Sequence, residues 1–162
     1  MAYVLDANVF IDAKNRYYGL DFCPGFWDWV DGANTDGRVT SIESVGDELV
    51  GGGDDLATWA RQRIGSLFQR PDATIVPGLQ ATSTWANGAG YEPAAVATFL
   101  QAADYYLVGH ALAHGHDVVT LEVAGSSRKR IKIPDACLAL GLKCMTPFAM
   151  LRAEGVRLRS SP

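Results

Sequence analysis

At 162 residues, with 48% hydrophobic and 20% charged side chains, the chain has the length and apolar content to bury a sizeable core, and intrinsic disorder is excluded. A net charge of −4 leaves no overall basic footprint for nucleic acid. No apolar run reaches the roughly 20 residues a bilayer-spanning helix needs, and the first residues lack the basic, apolar and small-residue order of a secretory signal.

The chain opens on Tyr3-Val4-Leu5, an apolar run that stops at Asp6. This pattern predicts a buried strand followed at once by a helix over residues 9–16. A carboxylate delivered to a buried strand end is costly unless paired or bound to a metal, so Asp6 is either a metal ligand or a helix N-cap. Pro24 opens a short helix whose tryptophans, Trp27 and Trp29, read as core rather than as a platform for stacking bases. Residues 38–41 predict a second strand. Residues 42–50, apolar at 42, 45, 49 and 50, predict a helix capped by Ser41 and ended by Gly51-Gly52-Gly53. That triple glycine is no phosphate loop, because no Lys-Ser/Thr follows it in register.

Asp54 or Asp55 caps a further predicted helix over residues 56–68, on which Arg61 and Arg63 read as surface residues. Residues 73–76 read as extended, and residues 79–87 and 94–100 as helices. Residues 102–114 form a helix with Asp104 in its first turn, closed by Gly115. Residues 118–122 repeat the opening grammar, an apolar strand running to a carboxylate, Glu122. The basic run Arg128, Lys129, Arg130 and Lys132 follows, then a helix over residues 136–140, a short strand over 143–145 and a last helix from Pro147.

Alternating strands and helices predict a three-layer α/β/α fold around a central, mostly parallel sheet, with residues 1–162 as a single domain. In such a sheet Asp6 and Glu122 share one edge, and helices entering or leaving that edge bring Glu48 and Asp104. Clustered carboxylates repel one another unless a hard cation neutralises them, which points to Mg2+ or Mn2+. Cys23, Cys137 and Cys144 form no Cys-x-x-Cys pair, so reduced, mostly buried thiols in a cytoplasmic protein are expected, and no structural zinc. His110 and His114 have i,i+4 spacing, but the His-Glu-x-x-His pattern is absent and the helix dipole accounts for His114, so a histidine metal site is the minor reading.

In their order, these segments resemble the PIN domain, the metal-dependent ribonuclease fold of VapC-like toxins. Leu5-Asp6-Ala7-Asn8 matches the first acid and its neighbouring Asn. Glu48 within Ser44-Val45-Gly46-Asp47-Glu48-Leu49 matches the second, and Asp104 the third. Thr120-Leu121-Glu122 matches the strand-end Thr-x-Asp, with Glu in place of the commoner Asp. The stretch from Asn8 to Tyr18 more closely resembles a bacterial subfamily of PIN proteins. The resemblance implies endonucleolytic RNA cleavage by water activated by Mg2+ or Mn2+. Asp6, Glu48 and Asp104 would hold the metal. Glu122 would hold a second metal or orient water, and Asn8 and Thr120 would support the site. It further implies an antitoxin protein as partner and a homodimer; the absence of a long apolar run leads to the expectation of no membrane.

Asp135 and Asp117 are the substitutes for Glu122, with Asp117 disfavoured because it begins its strand. The basic run reads as a solvated face or as a phosphate-contacting surface for RNA. Two other functions compete: a catalytically inactive PIN-like module binding RNA or protein, and a phosphatase-type hydrolase using Asp6 as nucleophile. The second acid expected of one such phosphatase family is missing, since Asn occupies position 8.

Overall fold

The computed structural model describes residues 1–159. At its centre lies an all-parallel sheet in the order β3-β2-β1-β4-β5, made of β1 (Tyr3–Leu5), β2 (Val39–Ile42), β3 (Phe68–Gln69), β4 (Asp117–Val119) and β5 (Cys144–Met145). Every residue of β1 and β2 is buried. That continuous apolar run, rather than an alternating one, is what a parallel sheet covered on both faces requires. The helices are α1 (Ala7–Asp12), α2 (Pro24–Thr35), α3 (Glu43–Val50), α4 (Asp55–Arg61), α5 (Val76–Gly88), α6 (Pro93–Gln101), α7 (Ala103–His114), α8 (Ile133–Leu140) and α9 (Pro147–Ala153). The three-layer α/β/α expectation holds. Among the described residues, no helix is long and apolar enough to cross a membrane.

The strand order matters for the site. From β1 the chain builds outward through β2 and β3, then returns to the other side of β1 for β4 and β5. The order therefore reverses between β1 and β4. In open α/β sheets the crevice for ligand forms outside the carboxyl ends of the strands at such a reversal. Asp6 follows β1, and Thr120 to Glu122 follow β4.

Trp27 is buried, as the sequence suggests. It meets Phe26 and Trp59 edge-on, at centroid distances of 5.2 and 4.8 Å, and its indole N–H donates to the Tyr18 carbonyl at 2.6 Å. Trp29 is half-buried against the same core. Cys137 is buried, whereas Cys23 and Cys144 are half-buried; all three are free thiols.

Several boundaries differ from the sequence reading. Helix α1 begins at Ala7 and passes into a π-helical turn, Ala13–Tyr17. Helix α4 ends at Arg61, and Phe68 and Gln69 leave it to form β3 against Ser41 and Ile42. Arg63, read as a surface residue, grips Asp31 with two N–H groups at 2.6 Å and lies 4.2 Å over the Trp59 ring. Residues 73–76 are not extended: Ala73–Ile75 is a 3-10 turn capped by Asp72, and Val76 starts α5. β4 stops at Val119, three residues before Glu122. Ser41 does not cap α3. Its hydroxyl donates to the Leu5 carbonyl at 2.7 Å, fixing the backbone just ahead of Asp6.

Helices α5 and α7 touch backbone to backbone. A Cβ built on Gly78 lies 2.0 Å from the Gly109 carbonyl oxygen, while one on Gly109 first meets the flexible end of Leu79, at 2.6 Å. Gly78→Ala is therefore expected to cost about 3 kcal/mol or more and Gly109→Ala clearly less. Urea unfolding of the two variants checks the order, and equal losses would contradict it.

Candidate active site

Asp6 caps α1, the helix-cap role weighed from the sequence, and it does so beside two other carboxylates. Its Oδ1 accepts the Ala7 N–H at 2.7 Å, and its Oδ2 accepts the Thr120 hydroxyl at 2.8 Å. The residue is only 6% exposed. Burial pushes its carboxyl up to about 7. The Thr120 and Ala7 hydrogen bonds oppose that rise, and the charges of Asp104 and Glu122 add to it.

Thr120 is the hub of a small network. Its hydroxyl oxygen accepts the Glu122 N–H at 3.0 Å and the Asn8 side-chain N–H at 3.4 Å. The Asn8 carbonyl in turn accepts the Leu121 N–H at 3.1 Å. Asn8 and Thr120 thus tie the start of α1 to the turn after β4. That turn leaves the strand path immediately, which is why Glu122 lies in irregular chain rather than at the end of β4.

Asp104 stands half-buried in the first turn of α7. Burial, then the charges of Glu122 and Glu48, push its carboxyl up to about 6, while Arg130 opposes the shift. Glu122 is held from two sides: Oε2 accepts the Ile133 N–H at the start of α8 at 2.8 Å, and Oε1 faces Arg130 at 3.3 Å. Glu48 is exposed on α3 and borders a shallow cleft with Ile11, Asn15 and Asp54. Asp6, Asp104 and Glu122 therefore act on one another, with Glu48 at the margin on the Asp104 side.

The donors are hard oxygens and suit Mg2+ or Mn2+ in kind. They are not drawn into a closed cage. Among the described residues, the one metal-ligating group whose donor atoms all lie within 4.8 Å of one another is His110, His114 and His116. A wider carboxylate spread fits Mg2+ in particular, which keeps several waters and takes only one or two protein carboxylates. Of the substitutes, Asp135 sits near the acidic end of the sheet and accepts the Gly125 N–H at 3.0 Å. Asp117 opens β4 opposite Tyr3, at the far end of the sheet from Asp6.

The basic run divides. Lys129 and Arg130 line a cleft of about 420 Å3 that also contains Asp104, Glu92 and Thr98. Arg128 instead donates to the Ala89 carbonyl at 2.8 Å and leans over Tyr91, securing the loop between α5 and α6. Lys132 lies at the N-cap of α8. The sequence reading missed two residues that shape the site: Ser41, mistaken for a cap, and Arg130 as a partner of Glu122. No local signal marks either contact: Ser41 meets Leu5 across 36 residues, and Arg130 reaches Glu122 through irregular chain that has no periodic spacing.

Comparison with known proteins fits this geometry. A search of curated proteins yields no match. The structure is similar to a chain in the crystal structure of VapBC2 from Rickettsia felis bound to a DNA fragment from their promoter. The two share 14% identity at a TM-score of 0.55, covering 90% of this chain and 98% of that one. At that identity the likeness establishes a PIN-like fold. The family model described as Domain of unknown function (DUF4411) matches residues 3–158, so this chain, with its acidic crevice at the strand-order reversal, belongs to the DUF4411 family.

Proposed function

We propose that this chain hydrolyses RNA phosphodiester bonds as a metal-dependent endoribonuclease and serves as the toxin of a toxin–antitoxin pair. The observation that carries the reading is that Asp6, 6% exposed, and half-buried Asp104 lie with Glu122 at the strand ends where the strand order reverses, with no cationic side chain among the described residues in an ion pair with either Asp carboxylate. Two buried or half-buried carboxyls pushed towards neutrality are what a site looks like when its counter-charge comes from outside the chain. Asp6 and Asp104 would hold Mg2+ or Mn2+, with Glu48 and Glu122 flanking. A divalent cation bound there supplies the neutralising charge, activates water and grips a phosphate oxygen.

The chain's own part is positioning. Thr120 orients the Asp6 carboxylate, and Asn8 locks the turn that carries Thr120. The Ile133 N–H and Arg130 hold the Glu122 carboxylate in place. Lys129 and Arg130 offer cations to the phosphates of an RNA strand lying along the cleft beside Asp104. Hydrolysis adds water across one P–O bond, leaving a phosphate on one fragment and a hydroxyl on the other. Likeness to a chain of VapBC2 supports an antitoxin protein as partner; a homodimer is proposed on the family resemblance alone.

The second reading, an inactive RNA- or protein-binding module, is favoured by one feature: both Glu122 oxygens are already engaged by chain donors. Expression in a bacterial host, with cellular RNA inspected for cuts, separates the two. The nuclease reading predicts growth arrest and discrete cleavage that Asp104→Asn removes; an inactive module gives no cuts with either protein. Lys129→Ala is expected to weaken RNA binding and lower the salt slope of log K by about one. Fluorescence anisotropy on labelled single-stranded RNA checks it, and an unchanged slope would put the RNA path elsewhere.

A further inference from the structure

A second cluster lies at the other end of α7. His110 and His114 stand one turn apart on the helix, and Gly115, in a left-handed conformation that ends it, turns the chain so that His116 folds back beside them. The ring centroids are 4.4 Å apart for His110 and His114, 5.5 Å for His114 and His116, and 5.8 Å for His110 and His116. One donor atom from each ring lies within 4.8 Å of the others. Along the helix His110 is six residues from Asp104, about 9 Å, and His114 ten residues, about 15 Å, and the cluster shares no residue with the acidic crevice.

Three imidazoles packed together need a reason. His110 is only 6% exposed, and its Nε2 is buried with no hydrogen-bond partner. An orphaned buried polar atom is costly. His114, by contrast, is exposed and gives access from solvent. Its Nδ1 lies 3.0 Å from the His110 carbonyl, the backbone contact that commonly fixes a ligating imidazole and leaves Nε2 for the metal. That Nε2 lies 3.0 Å from the Thr74 hydroxyl, which itself donates to Asp72, so a metal binding at Nε2 displaces Thr74 from the ring. Burial, with the neighbouring His114 and His116, holds His110 down to about 4, which keeps its lone pair free at neutral pH.

We propose that His110, His114 and His116 form a binding site for a borderline transition-metal cation of the Zn2+ class, separate from the acidic centre. Three imidazoles with an open fourth position suit Zn2+ or Co2+ and disfavour Mg2+. The site is not fully preformed. His116 Nδ1 accepts the Ala2 N–H at 3.0 Å. If Nδ1 binds the metal it must leave Ala2, and if Nε2 binds, the ring proton moves to Nδ1, which then repels the same N–H. Either way, metal binding breaks the tie at the start of β1.

The test uses the full, metal-stripped chain carrying Asp6→Asn, which removes competition from the acidic crevice. Titration with Co2+ is expected to give visible d–d bands that Zn2+ abolishes. His114→Ala and His116→Ala should each weaken Zn2+ binding by about tenfold or more. His114 is exposed, so its variant is expected to fold, and its far-UV spectrum confirms that. Zn2+ should also speed hydrogen exchange of the Ala2 amide. Absence of Co2+ bands, or Zn2+ affinity equal in the parent and both histidine variants, would overturn the site. The nuclease reading stands or falls separately, because RNA cleavage is not measured here.

Discussion

Asp6→Asn is expected to reduce RNA cleavage by at least about a hundredfold, since losing mere partners of metal ligands already costs about 10- to 100-fold. The same substitution should make the metal-free protein more stable at pH 8. Asp6 has a folded pKa of about 7 against an ordinary value of 3.8. A raised carboxyl contributes stability that is fully present below its unfolded pKa and is lost as pH rises through its folded pKa. At pH 8 the buried charge therefore costs on the order of 4 kcal/mol relative to a neutral group. Asn is neutral throughout and keeps an oxygen for the Ala7 N–H. The variant should thus melt above the parent at pH 8, and the gap should shrink steadily towards pH 4. Cleavage assays with thermal melts across that range check both halves. A variant that loses activity because it is less stable at pH 8 would refute the explanation.

Without divalent metal, the stability of the parent protein should fall between pH 6.5 and 8. Asp6 at about 7 keeps a proton in the folded state that the unfolded chain has lost, and Asp104 at about 6 adds only the end of its own titration in this range. Each retained proton costs about 1.4 kcal/mol of stability per pH unit of rise. Below pH 6.5 the histidines work against this. His110 at about 4, and His116 also lowered, bind fewer protons folded than unfolded, so their contribution grows as pH rises towards 6.5. The carboxyl effect emerges cleanly only above that point. Mn2+ competes with protons for the same oxygens, so it should raise the melting temperature more at pH 8 than at pH 5.5. A Mn2+ effect equal at both pH values would place its binding away from these acids.

The centre of the fold was legible in the sequence, and its edges were not. Tyr3-Val4-Leu5-Asp6 declares itself because an apolar run ending in a carboxylate has few other uses. Asn8 and Thr120, named from the family resemblance, meet with Asp6 in one hydrogen-bond network. β3 was invisible because Phe68 falls at the end of the helix expected over residues 56–68, and it becomes a strand with Gln69 only by pairing with Ser41 and Ile42, far back in the chain. Arg63 was read as a surface residue because its partner, Asp31, lies on another helix. Residues 73–76 looked extended before Pro77, yet proline is well tolerated in a first helical turn, where α5 places it. His116 escaped because its approach to His110 depends on the reversal at Gly115, not on helical spacing.

Calorimetric titration with Mn2+ at pH 7.5 measures the heart of the account most directly. It is best done in a His114→Ala background so that only the acidic crevice is sampled. The predicted result is binding in that background that disappears with Asp6→Asn and again with Asp104→Asn, both proteins remaining folded. Equal Mn2+ affinity in all three would mean that these carboxylates do not share a cation, and the nuclease reading would have no site.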